Sequence, residues 1–135
     1  MITRRNSRKI VAGGLQIGGC SPVSVQTMLN TSAHDIAASV EQAKRLEEAG
    51  CELLRAAVPD MDAVRLITAL KEAVTVPVVA DIHFDYKLAL ESAAAGVDKI
   101  RINPGNIGDQ GRVRAVADRS PPQYPDQDRC EFRFA

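Results

Sequence analysis

The sequence has no tryptophan, and its two tyrosines and three phenylalanines bring the aromatic share to only 4%. Stacking platforms of the kind that bind single-stranded nucleic acid therefore have almost no raw material. Neither charge is in surplus, since 17 Lys and Arg balance 17 Asp and Glu. Without a global cationic field, neither nucleic acid nor an anionic membrane is an expected partner, and an anionic ligand must be held by a few placed groups. Long apolar runs are missing too: stretches such as Val76 to Ala80 fall far below the roughly 18 residues of a spanning helix. The opening Met-Ile-Thr-Arg-Arg-Asn-Ser-Arg-Lys9 has no apolar signal core, which predicts a cytoplasmic protein, and its basic residues read as a solvated tail.

Cysteine is scarce. Cys20, Cys51 and Cys130 lie far apart, with no Cys-x-x-Cys pair and no histidine at a ligand-like offset, so neither a zinc site nor a self-contained iron–sulfur site is spelled out. No metal is expected on this chain. Cys51, between Gly50 and an apolar run, reads as a small buried thiol.

What is present is a 135-residue chain with 45% hydrophobic and 25% charged side chains, enough for one globular domain at most. From Ser24 onward, short apolar runs alternate with segments of helical period, the pattern of βα units on a parallel sheet. Strands are expected at Ser24–Met28, Leu53–Val58, Val76–Ile82 and Val97–Ile102. Between them fall a helix with Ser32 as N-cap, closed by Gly50, a second starting at Pro59-Asp60, and a third capped by Asp85 and running to Gly96. A polar helix follows from about Asp109 to Asp118, and Lys9–Ile17 reads as a hairpin about Gly13-Gly14, placed to plug the bottom of a barrel. The short, even spacing suits a TIM (β/α)8 barrel, and the Gly-x-Gly-x-x-Gly turn of a Rossmann unit is missing. A full barrel needs roughly 250 residues, so the fold class expected is α/β, a partial TIM barrel of about four βα units with an N-terminal hairpin.

Residues 119–135 do not continue the pattern. They hold three of the seven prolines and two of the three phenylalanines, with neither the helical nor the strand period. One back-translation of Gln123 to Ala135, read a nucleotide later, gives Asn-Ile-Pro-Ile-Arg-Ile-Gly-Val-Asn-Ser-Gly-Ser, which would serve as a fifth barrel strand. The expectation is a frameshift between about Val113 and Gln123 that leaves an aberrant, disordered tail after an N-terminal half barrel, residues 1–118.

Barrel chemistry sits at the C-terminal ends of strands. Arg55 and Arg101 share strand parity with barrel-facing positions, where an unpaired guanidinium is costly. Two solutions are open: a bound phosphate held by the guanidinium forks, with backbone N–H donors from the Gly105–Gly108 loop, or an internal pair with a carboxylate such as Asp81. Asp81 and His83, two residues apart, can both face the barrel mouth and handle a proton or a substrate hydroxyl; a metal pair would need ligands that the spacing does not supply. Asn103 joins Arg101 on the inner side. His34, near a helix start, reads as an exposed polar residue.

Together, Val-Gln-Thr-Met-Leu-Asn-Thr31, Val-Pro-Asp-Met-Asp62, Val-Pro-Val-Val-Ala-Asp-Ile-His-Phe-Asp-Tyr86 and Arg-Ile-Asn-Pro-Gly-Asn-Ile-Gly108 resemble the 4-hydroxy-3-methylbut-2-en-1-yl diphosphate synthases of non-mevalonate isoprenoid (terpenoid) biosynthesis. The resemblance covers residues about 4 to 118, and the shifted reading of the tail resembles the family's next motif. It implies an oxidoreductase with a TIM barrel joined to a C-terminal [4Fe-4S] domain, whose ligands this chain lacks. It further implies reductive opening of 2-C-methyl-D-erythritol 2,4-cyclodiphosphate, electrons from ferredoxin or flavodoxin, and a homodimer. Arg55 and Arg101 would then hold the diphosphate, and Asp81, His83 and Asn103 the ring side of the substrate. This chain alone is expected to be inactive. The alternatives are a non-functional truncated product and a pterin-type, diphosphate-handling TIM barrel.

Overall fold

The structure, a computed structural model, describes residues 3–120. Residues 121–135, most of the expected aberrant tail, lie outside the described residues. The chain opens with β1 (Ile10–Ala12) and β2 (Leu15–Ile17), an antiparallel hairpin in which Ala12 pairs with Leu15. Gly13 and Gly14, at φ +53° and +92°, supply the two left-handed positions that so tight a turn requires.

Four parallel strands follow in the order β3 (Gln26–Met28), β4 (Leu53–Ala57), β5 (Val78–Ile82) and β6 (Lys99–Ile102). Each is joined to the next by a helix: α1 (Ile36–Glu48), α2 (Val64–Ala73) and α3 (Tyr86–Ala94). A short turn of helix, α4 (Pro104–Ile107), and α5 (Gln110–Arg119) complete the described chain. Sequential strand order with one helix per crossover is the first half of a (β/α)8 barrel, as expected.

Period-two alternation sorts the strands into two faces. Leu54, Ala56, Val78, Ala80 and Ile82 are fully buried and meet Leu66, Ile67 and Leu70 of α2 and Leu88 and Ala89 of α3 in one apolar core. The opposite face carries Leu53, Arg55, Ala57, Val79, Asp81, Lys99 and Arg101, brought level by the register Arg55–Val79–Lys99 and Ala57–Asp81–Arg101. At the N-terminal end of this inner face the hairpin packs Ala12, Leu15 and Ile17 on Leu53 and Val79, the plug expected from the sequence. β5 is buried along its whole length, whereas β3 and β6 are the two edges of the sheet.

Two helix starts differ from the expectation. Ser32 does not cap α1: its carbonyl accepts from Asp35 N–H at 3.0 Å in a preceding turn, and Asp35 is the N-cap, accepting from Ala38 N–H. Asp60 likewise caps a turn, accepting from Ala63 N–H at 3.0 Å, and the continuous helix begins only at Val64. Asp85 caps α3 as expected, through Lys87 N–H.

Candidate functional site

The inner face converges on one carboxylate. Asp81, next to the C-terminal end of β5, is completely buried, and the guanidinium groups of its strand neighbours close on it from both sides. Arg55 Nε donates to Asp81 Oδ2 at 2.9 Å and Arg55 Nη2 donates to the same oxygen; Arg101 Nη1 donates to Oδ1 at 2.7 Å. Burial pushes the Asp81 carboxyl up, but the hydrogen bonds from Arg101 and Arg55 and their two positive charges outweigh it and hold it below the ordinary carboxylate value. Asp81 is therefore an anion near neutral pH, and the triad carries a net charge of +1.

Of the two solutions, the internal pair with Asp81 is the one the structure shows. The arginines pair internally, yet Arg55 commits two of its five N–H donors to Asp81 and Arg101 one, so donors remain for an incoming anion. The Arg55 and Arg101 side chains stay 25% and 49% exposed, which leaves those donors reachable. Asp81 thus fixes the orientation of both guanidinium forks.

His83 Nε2 lies 3.8 Å from Asp81 Oδ2, too far for a hydrogen bond, and its side chain is half exposed at the mouth. Asn103 stands two residues beyond Arg101, and its Oδ1 accepts from Gly105 N–H at 3.1 Å, making it the cap of α4. One expectation fails here. The Gly105, Asn106 and Ile107 N–H groups, expected to donate to an anion, are turned onto Asn103 Oδ1 and the Asn103 carbonyl, because these residues form a helical turn and not an open loop.

Two features went unnoticed in the sequence. Lys99 sits on the inner face two residues before Arg101 and borders, with Gln26, Arg55, Val79 and Arg101, a concavity of about 250 Å³ that wraps the β6 edge. Strand parity alone could have found it. His34 Nε2 meets Asp60 Oδ2 at 2.6 Å, joining the loops after β3 and β4 at the same end as Asp81. The Ala63 N–H and His34 bonds hold the Asp60 carboxyl below its usual range. No local signal links residues 26 positions apart.

A larger concavity of about 590 Å³ lies at the opposite end, beside Gly13, Gly14 and Asp98, and the Asp98 carboxylate is already taken up by Lys71 Nζ at 2.6 Å and Val78 N–H at 2.8 Å. Among the described residues no three His, Cys, Asp or Glu side chains are grouped to hold a metal. Cys20 is exposed, whereas Cys51 is buried with its thiol directed at the Leu53 carbonyl. These residues do not fit an iron–sulfur cluster. No helix among the described residues is long and apolar enough to cross a membrane.

Comparison with known proteins gives the same frame. Residues 7–123 match the GcpE TIM-barrel domain family. The chain is 55% identical over 116 residues to a 4-hydroxy-3-methylbut-2-en-1-yl diphosphate synthase (flavodoxin) of Dehalococcoides mccartyi, covering 86% of this chain and 33% of that protein. It is 56% identical over 117 residues to the synthase of the same name from Pseudomonas paraeruginosa, covering 87% and 32%. The chain thus spans about a third of the length of the curated relatives it matches. Among solved structures, dihydropteroate synthase from Xanthomonas albilineans superposes with a TM-score of 0.67 at 26% identity, covering 86% of this chain and 48% of that one. The Yersinia pestis dihydropteroate synthase superposes with a TM-score of 0.66 at 24% identity, covering 82% and 43%. The barrel fold is common to both groups, but the sequence sides with the synthases, and the pterin-type alternative is not favoured.

Proposed function

This chain belongs to the GcpE TIM-barrel domain family, and from that premise we propose that it supplies part of the substrate barrel of a 4-hydroxy-3-methylbut-2-en-1-yl diphosphate synthase. In this reading residues 1–118 form the N-terminal half of the barrel, and Arg55 and Arg101 hold the diphosphate of 2-C-methyl-D-erythritol 2,4-cyclodiphosphate. The observation that carries it is the pair of guanidinium groups locked on buried Asp81 with donors to spare. Asp81 orients the forks, while His83 and Asn103, next along the same face, meet the ring side of the substrate.

The whole protein would be an oxidoreductase of isoprenoid biosynthesis, cytoplasmic and homodimeric. Its [4Fe-4S] cluster would sit in a C-terminal domain, with flavodoxin, the donor in its relatives' names, supplying electrons. Anaerobic reconstitution of the chain with iron and sulfide is expected to give no stoichiometric cluster absorbance and no turnover; one cluster per chain with turnover would overturn the division of labour. Residues 119–135 are read as an out-of-frame tail, which sequencing the gene through the codons for Val113 to Gln123 tests.

The test of the anion clamp is a titration with the cyclodiphosphate beside a melting curve. Arg55→Lys and Arg101→Lys keep the charge and lose the fork, so each should weaken binding by about 1 to 3 kcal/mol. Normal binding, or affinity lost only in step with melting temperature, would mean that the arginines serve the internal pair and nothing else.

A further inference from the structure

We infer that Lys99 is a third cationic ligand of the bound anion and the group that lets this face prefer a diphosphate over a monophosphate, an inference that rests on the anion-clamp reading above. Parallel register places Lys99 level with Arg55 across Val79, about 10 Å away at two strand spacings, and about 7 Å along β6 from Arg101. The three cations thus bracket one patch of the inner face, at the concavity that all three border.

Their electrostatic situations differ. Arg55 and Arg101 are each neutralised in part by Asp81, whereas the Lys99 ammonium has no hydrogen bond or salt bridge among the described residues. Lys99 is only partly exposed, on a face whose one carboxylate is already shared by two guanidinium groups. Lys99 stands on the same face as two guanidinium groups with no counter-charge of its own, and an anion seated against Arg55 and Arg101 would offset that like-charge repulsion. With Lys99 the inner-face charge rises from +1 to +2. A second phosphoryl group adds charge and oxygen atoms, and it extends the ligand to the length that the separation of Lys99 from the arginines can use. A monophosphate engaged by the arginine forks gains much less from the lysine.

The experiment is calorimetric titration of the full chain with inorganic diphosphate and, separately, inorganic phosphate, for wild type, Lys99→Gln and Lys99→Arg. Circular dichroism melting accompanies each protein. Lys99→Gln should weaken diphosphate binding about tenfold or more and phosphate binding no more than about threefold, as expected for one charge-assisted hydrogen bond. Lys99→Arg should stay within about threefold of wild type on both ligands, which keeps the inference testable if the glutamine variant is unstable. Equal losses on the two ligands, no loss on either, or failure of arginine to rescue would overturn the role of Lys99 while leaving the clamp intact. Absence of diphosphate binding by folded wild type would instead overturn the clamp itself, and this inference with it.

Discussion

The two faces of the four-stranded sheet are built on opposite principles. On the helix side, Leu54, Ala56, Val78, Ala80 and Ile82 meet α2 and α3 in a continuous apolar core whose residues need nothing further. On the inner side, hydrophobic packing extends only as far as the hairpin's contact with Leu53 and Val79; Arg55 and Lys99 flank Val79 at that level, and Asp81 and Arg101 follow above it. The first face holds the fold and the second holds charge in place. Substitutions on the two should therefore fail differently, by lost stability on one and by lost recognition on the other.

The largest effect is expected from Leu54→Ala, which opens a cavity where exposure is 0% and should cost about 3 kcal/mol in urea unfolding, with diphosphate stabilising the variant no more than wild type. Asp81→Asn ranks next. It removes the counter-charge of two arginines that are themselves partly exposed, so the cost is smaller, about 1 to 3 kcal/mol. Diphosphate should raise the melting temperature of this variant more than that of wild type, because an anion then replaces the lost charge. Equal ligand shifts in the two proteins would show that the inner face does not respond to charge.

Acid sharpens the contrast without a mutation. The carboxyl groups of Asp81, Asp60 and Glu47 are held below their usual values in the folded chain, Glu47 chiefly by the Thr75 hydroxyl, with the Thr75 and Val76 N–H groups adding to it. A depressed folded value means that the stabilisation is fully present above the unfolded value, about 4, and is lost as pH falls through the folded one. Stability contributed by these groups should stay level from neutrality to about pH 4 and decline below it. In Asp81→Asn that decline should be shallower; an unchanged acid limb would exclude Asp81 as a contributor. The smallest effect concerns the edge. Val23 and Val25, 79% and 56% exposed beside edge strand β3, offer an apolar surface for self-association. Val25→Lys should lower the mass seen in sedimentation while moving stability by no more than about 0.5 kcal/mol.

Local signals carried most of the fold. Alternation and helical period located all four parallel strands and their helices, Gly13-Gly14 located the hairpin, and the Asp85 cap held because its partner is two residues away. Ser32 and Asp60 show the limit: each has a side chain suited to capping, but turns at 32–35 and 60–63 delay the helices, and that delay depends on tertiary packing. At the site, parity put Arg55, Asp81, His83, Arg101 and Asn103 on one face, and Asp81 was already a possible internal partner. That Asp81 takes both arginines at once depends on the register of three strands, which parity does not specify. The meeting of His34 with Asp60 depends on two loops converging in space.

The hairpin bears on the order in which the chain assembles. A methyl group at Gly13 would stand 2.6 Å from Asp98 Oδ1 and 3.0 Å from Pro77 Cβ, so the turn fits only against the finished starts of β5 and β6. Its landing site is made from residues far later in the chain: Leu53, Pro77, Val79 and Asp98. The segment synthesised ahead of the sheet must therefore wait for it, since such distant contacts form only after the intervening loops have closed. Docking of residues 10–17 is then a late kinetic event, and slowing it would hold back completion of the native state while leaving the sheet's own formation untouched.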